Sequence, residues 1–256
     1  MRKTILTFSF AILSALSFAQ SGEYQKYVKI GQFHNEALNN YYVSLTKQEN
    51  VMDVNGISEK VYESALRNPN FSEYAEVVKD GYYKYSTTYL NNRLENTKKS
   101  ITDLERAINN DLSTTQKEYY SQIYDLTKYE NARDYSSQML KLMTTLENDN
   151  RLKIEDKADL FLAAGIGTQS FNYWENNGPK WMDLPQNTLS RQLPKDFWKG
   201  FVKADIASGI AGGIGGAFAG AVTVPVIGSV PGWVVGAVGG AIGGSIGWGV
   251  AELIWP

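Results

Sequence analysis

Across residues 206–251 the chain carries no Asp, Glu, Lys, Arg, His, Asn or Gln, and 15 of these 46 residues are glycine. The glycines recur at four-residue steps. One row is Gly212, Gly216 and Gly220; a longer one is Gly228, Gly232, Gly236, Gly240 and Gly244. Four residues is about one helical turn, so each row makes a side-chain-free stripe on a helix. Such stripes let helix backbones approach closely inside a bilayer. In water the same composition makes a poor helix, because each Gly costs about 1 kcal/mol relative to Ala. The segment therefore calls for lipid or a tight protein partner.

Pro225 and Pro231 divide this tail into 206–224 and 232–251. Each half is long enough as a helix to cross about 30 Å of hydrocarbon. Residues 223–232 are read as the turn of an antiparallel helical hairpin; 221–230 also admits a β reading, which the four-residue spacing does not favour. Trp233, Trp248 and Trp255 fall near the expected interfaces, and Asp205 and Glu252 bracket the hairpin on one side. The segment holds no Leu and is a weak stop signal during export. Insertion from the outer side after export follows as the expected route.

The other end of the chain predicts export. Arg2 and Lys3 precede an apolar stretch over 5–16, and Ser17-Phe18-Ala19 ends in a small residue suited to cleavage. A signal peptide over 1–19 implies a periplasmic, outer-envelope or extracellular location. The chain has no cysteine, which excludes disulfides, thiolate metal sites, thiol catalysis and a lipid-modified Cys. The charge balance is mildly acidic and carries no nucleic-acid footprint.

Residues 20–178 are polar and rich in Tyr, Asn, Lys and Glu, with one proline, Pro69. Apolar residues at three- and four-residue steps predict an all-α bundle of about five or six helices. Candidate helices cover 58–66, capped by Ser58, and a run from Ser72 past Leu90. Another carries Ile101, Leu104 and Ile108. Ser113 or Thr114 opens one with Tyr119, Ile123 and Leu126. Tyr135, Met139, Leu142, Met143 and Leu146 form a stripe, and 154–174 is read as the most buried helix. Residues 179–203 form a connector, where Pro179, Pro185 and Pro194 interrupt helices. Trp181, Trp198 and Lys199 are its candidates for the headgroup region.

Motifs for chemistry are few. His34 is the single histidine; a pairing with Glu36 is one reading, a structural histidine the preferred one. Asp53-Val54-Asn55-Gly56 and Glu147-Asn148-Asp149-Asn150 read as turns, the former lacking the closing Glu of a calcium loop. Gly243-Gly244-Ser245-Ile246-Gly247 matches the nucleophile-elbow pattern by chance in a glycine-rich segment. The 16 tyrosines are read as packing residues with a polar tip. No cofactor, no metal and no enzymatic activity are expected.

Three short elements, His34-Asn35, Ser170-Phe171-Asn172-Tyr173-Trp174 and Ala204-Asp205 before Ser208-Gly209, make the chain resemble a group of exported bacterial proteins without an established activity. The tail is similar to glycine-zipper segments of membrane-inserting bacteriocins and toxins. The plan of a helical body followed by an apolar hairpin is similar to pore-forming colicins, whose hairpins are richer in Ala and Leu and which lack a signal peptide. The resemblance implies a membrane-active, bacteriocin-like protein that meets a lipid membrane and self-associates as a homo-oligomer through its glycine stripes. The competing expectation is a non-toxic envelope protein, anchored by the hairpin, whose helical domain binds a partner.

Overall fold

A computed structural model describes residues 22–47, 112–184, 196–216, 221–224 and 228–231. Five helices make up the body: α1 Gly22–Thr46, α2 Thr114–Tyr124, α3 Ala132–Glu147, α4 Ile154–Met182 and α5 Trp198–Gly216. A 3-10 turn, Leu126–Lys128, joins α2 to α3. Two short strands, β1 Ala221–Val224 and β2 Gly228–Pro231, pair antiparallel with Val222 opposite Val230. The all-α expectation for the body holds. The expected signal peptide, the helices placed within 58–108 and the second half of the tail lie outside the described residues.

The local reasons for these elements are visible in their ends. Ser113 caps α2 through a reciprocal box: Gln116 N donates to Ser113 Oγ at 3.3 Å, and Ser113 N donates to Gln116 Oε1 at 2.9 Å. The same Gln116 donates from Nε2 to the Asp156 carbonyl, tying the start of α2 to the start of α4. Asn131 caps α3 by accepting from Asp134 N at 2.9 Å. The α3 stripe is buried as its spacing predicts at Tyr135, Met139, Met143 and Leu146, while Leu142 lies half-buried beside it. Glu147 ends α3, and Asp149 in the following turn receives Arg151 at 2.6 Å and the Tyr119 hydroxyl at 2.8 Å. Those donors hold the Asp149 carboxyl well below the usual carboxylate range.

α4 is the axis of the body and touches each of the other four helices. Every residue from Leu160 to Thr168 is buried, so this stretch shows no polar face. A helix apolar all round belongs inside a core. α4 also runs farther than its sequence suggests. It continues through Gly178 and Pro179 to Met182, where a proline in the last turn forgoes one backbone bond. Burial of Trp181 accounts for the extension: its ring packs 5.5 Å from Trp174 and 5.2 Å from Tyr42.

α1 was not legible as a helix from amphipathicity, yet Tyr24, Gly31, His34, Leu38, Tyr41 and Leu45 are all buried along one side. Their alternating three- and four-residue steps, completed by half-buried Tyr27, form a coiled-coil-like seam. The seam lies parallel to α4, with Tyr27 on Phe161 at one end and Tyr42 on Trp181 at the other. At the crossing the two backbones meet through glycine. A Cβ built on Gly165 would sit 2.5 Å from the Tyr27 carbonyl oxygen, and one on Gly31 would sit 2.6 Å from the Gly165 oxygen.

α5 packs antiparallel on α4, with Trp198 beside Gly178 and Ile206 beside Gly167, and with Phe201 on Trp174 at 4.3 Å and Trp198 on Phe171 at 4.7 Å. All residues over 204–210 are buried. The expected first span, 206–224, is therefore not one uninterrupted helix lying apart from the body. Its first residues are core, its helix ends at Gly216, and Val222-Thr223-Val224 form a strand, as β-branched residues favour. Gly228 opens a strand and so is not part of a helical stripe. Gly212 and Gly216 lie on α5; Gly220, Gly232, Gly236, Gly240 and Gly244, with Trp233, Trp248 and Trp255, lie outside the described residues. Among the described residues no helix is long and apolar enough to cross a membrane.

Candidate functional site

The seam of α1 places His34 toward the junction of α1, α4 and α5, and the packing of α5 on α4 brings Asp205 to the same point. One carboxylate oxygen, Asp205 Oδ2, meets three groups there. Ser170 Oγ donates to it at 2.5 Å, Trp174 Nε1 donates at 3.1 Å, and His34 Nε2 stands at 3.2 Å. His34 is 1% exposed; Ser170, Trp174 and Asp205 are each 0% exposed. Asn35 completes the arrangement. Its Nδ2 donates to the Gln169 carbonyl at 2.9 Å, which turns its Oδ1 toward His34 Nδ1 at 3.1 Å.

An acceptor thus faces each nitrogen of the His34 ring. A buried carboxylate is held only when hydrogen bonds satisfy it, and Ser170, Trp174 and His34 surround Asp205 Oδ2. Nearby, Ser208 donates back to the Ala204 carbonyl within α5.

The cluster contains Ser, His and Asp but not in the order that activates a nucleophile. In such a triad the imidazole stands between serine and acid and takes the serine proton. Here the carboxylate stands between Ser170 and His34, and Ser170 donates its hydrogen bond to Asp205 rather than to the imidazole. The enclosure leaves no face for a substrate carbonyl. What the arrangement can do is fasten α5 to α1 and α4 through charge-assisted bonds. Among the described residues no group of three or more His, Asp or Glu is placed to hold a metal.

Other polar handles secure the same core. The Tyr24 hydroxyl reaches the Ala164 carbonyl at 3.3 Å and Thr168 Oγ1 at 3.0 Å, and Tyr135 donates to the Ile123 carbonyl at 3.0 Å. Burial pushes both phenols above their ordinary value. These tyrosines pack with an anchored tip, as the sequence suggests. An open groove beside the 3-10 turn is lined by Lys128, Tyr129, Glu130, Asp134 and Gln138, with charges of both signs.

The residues expected to dock on headgroups separate in the structure. Trp181 is 1% exposed and donates from its indole to the Tyr173 hydroxyl at 3.1 Å, so it is a core residue and not an interfacial one. The physical reason is its large apolar ring, which the ends of α1 and α4 enclose together. Trp198 and Lys199 are half-buried at the start of α5; Lys199 Nζ donates to the Tyr129 carbonyl at 3.0 Å and approaches Asp196 at 3.6 Å. The connector expected over 179–203 is thus the end of α4 and the start of α5 around a segment, 185–195, outside the described residues.

One half-buried carboxyl on α4 is strained by its surroundings. Burial, with the nearby Asp156 charge, pushes Asp159 up to about 6 from an ordinary 3.8. Its folded-state value lies above its unfolded one, so the neutral acid favours the fold. That contribution is complete below about pH 4 and is lost as the pH rises through 6. Asp159→Asn should therefore stabilise the protein by roughly 2 kcal/mol at pH 7.5 and change little at pH 4, as read by urea unfolding at the two pH values. An equal effect at both would sink this account.

No known protein family, curated protein or solved structure matches the chain. The elements His34-Asn35, Ser170 to Trp174 and Ala204-Asp205, separated widely in the sequence, meet at this one junction.

Proposed function

We propose that this chain is an exported, membrane-active protein of bacteriocin-like character, whose glycine-rich tail enters a lipid bilayer while the helical body remains outside. One observation carries the reading. Asp205, on α5, is the last charged residue before Glu252, and the 46 residues between are uncharged, with glycine at helical steps. A segment of that composition gains little as a helix in water and packs well as paired helices in lipid. The glycine-zipper hairpin over 204–256 is the inserted form in this reading. Homo-oligomers form through Gly232, Gly236, Gly240 and Gly244 once inside. Trp198 and Lys199 lie at the start of α5, where the body would face the headgroups.

The enclosure of 204–210 favours a second reading as well, an envelope protein anchored by the same hairpin whose body binds a partner. The two differ in leakage. Because 204–210 belongs to the core, truncation before Asp205 would also remove core residues, so substitutions farther along the tail are the cleaner probe. Dye-loaded phosphatidylethanolamine/phosphatidylglycerol vesicles are mixed with the purified chain and with a Gly236→Leu/Gly240→Leu variant. The membrane-active reading expects leakage from the parent, reduced at least tenfold in the variant because leucine separates the helices. Sedimentation with vesicles without leakage supports the anchor instead. A chain that never sediments with vesicles overturns both.

A further inference from the structure

Residues 206–210 face opposing demands. The proposed hairpin needs them in lipid, whereas the body encloses them completely. If they stay, only 211–224 remain for the first span. Those 14 residues make a helix of about 21 Å, well short of the hydrocarbon thickness of about 30 Å. A first span can form only if α5 leaves α1 and α4.

We infer that the Asp205 cluster is an autoinhibitory latch, which holds α5 in the body and keeps the root of the tail from lipid; the inference rests on the membrane insertion proposed above. The division of partners supports it. The carboxylate belongs to α5, while its donors, His34, Ser170 and Trp174, belong to α1 and α4. Every bond to the carboxylate thus crosses the surface along which α5 would separate. Beyond Asp205 the buried side chains are the apolar Ile206, Ala207 and Ile210 and Ser208, whose hydroxyl is satisfied within α5, and such contacts are exchangeable for lipid at little cost. The carboxylate is not exchangeable for lipid. Its position settles the difficulty: Asp205 directly precedes the uncharged run, so on opening it returns to water at the membrane border while the residues after it enter. The charge therefore guards the closed form in water without forbidding the open one at a bilayer.

The test uses the full purified chain and two variants on α4, Ser170→Ala and Trp174→Phe, which remove one donor each and leave the tail sequence intact. Hydrogen exchange of the backbone amides over 204–210 should accelerate at least tenfold in both, with α3 amides unchanged. Leakage from phosphatidylethanolamine/phosphatidylglycerol vesicles should begin at least threefold sooner. Tyr119→Phe, which removes the bond to Asp149 far from the cluster, should leave exchange over 204–210 as in the parent. Unchanged exchange over 204–210, or an equal rise in α3, overturns the latch whatever the vesicles show. Selective opening in variants that leak no sooner than a leaking parent overturns the latch and leaves the membrane reading standing. A parent and variants that never sediment with vesicles overturn the membrane reading itself, and the latch with it.

Discussion

Gly165→Ala should destabilise the helical body by about 3 kcal/mol, and Gly165→Leu should prevent it from folding. A single methyl on Gly165 would stand 2.5 Å from the Tyr27 carbonyl oxygen and 2.6 Å from its carbonyl carbon. Both are backbone atoms of α1, so no rotamer change relieves the clash. The helices must move apart along the seam, loosening Tyr27 on Phe161 and Tyr24 on Thr168. Gly178 provides the contrast on the same helix. A methyl there meets Trp198 Cβ at 3.5 Å and Phe197 Cζ at 3.8 Å, which is ordinary contact. Gly178→Ala should stabilise by up to about 1 kcal/mol, the usual gain from replacing a helical glycine. Urea unfolding followed by circular dichroism compares the two; similar changes at both positions would contradict the close crossing of α1 and α4.

The second large effect concerns the cluster. Asp205→Ala should cost about 3–5 kcal/mol, because His34, Ser170 and Trp174 lose a shared acceptor where water cannot replace it. His34→Ala should cost a similar amount by stranding the carboxylate among fewer donors. His34→Leu/Asp205→Leu should cost at least 2 kcal/mol less than its two single leucine substitutions together, since apolar residues remove both buried polar partners at once. Additive losses would mean that the two groups are not coupled and that their contact is not what joins α5 to α1. The cycle measures stability, so it stands apart from any membrane assay.

The membrane reading and the cluster make one consistent picture of the two halves of α5. Its first half, through Ile210, is built into the body by aromatic packing and a satisfied charge. Its second half leads into the glycine-rich run. The sequence reading located the helix-packing glycines in that run, at Gly212 through Gly244. Among the described residues, the glycines whose missing side chains admit a neighbouring backbone are Gly31 and Gly165, in the polar part of the chain. Composition drew attention to the tail because it weighs number, whereas the crossing of α1 and α4 needs only one pair of glycines at the point of contact.

Periodicity and caps were sufficient where an element is settled by its own residues. The Ser113 box, the α3 stripe and the burial of α4 follow from spacing, because one apolar face must leave water whatever covers it. The sequence by itself therefore determined an α-helical body and an uncharged, glycine-rich tail. It did not determine α1, whose seam includes a glycine and a histidine, nor the run of α4 through Pro179, which Trp181 secures only by meeting Tyr42 and Trp174. Only the tertiary structure decided that His34, Ser170, Trp174 and Asp205 share one site. Each is unremarkable in its own segment, and a buried charge acquires its meaning from partners that the chain delivers from three different helices.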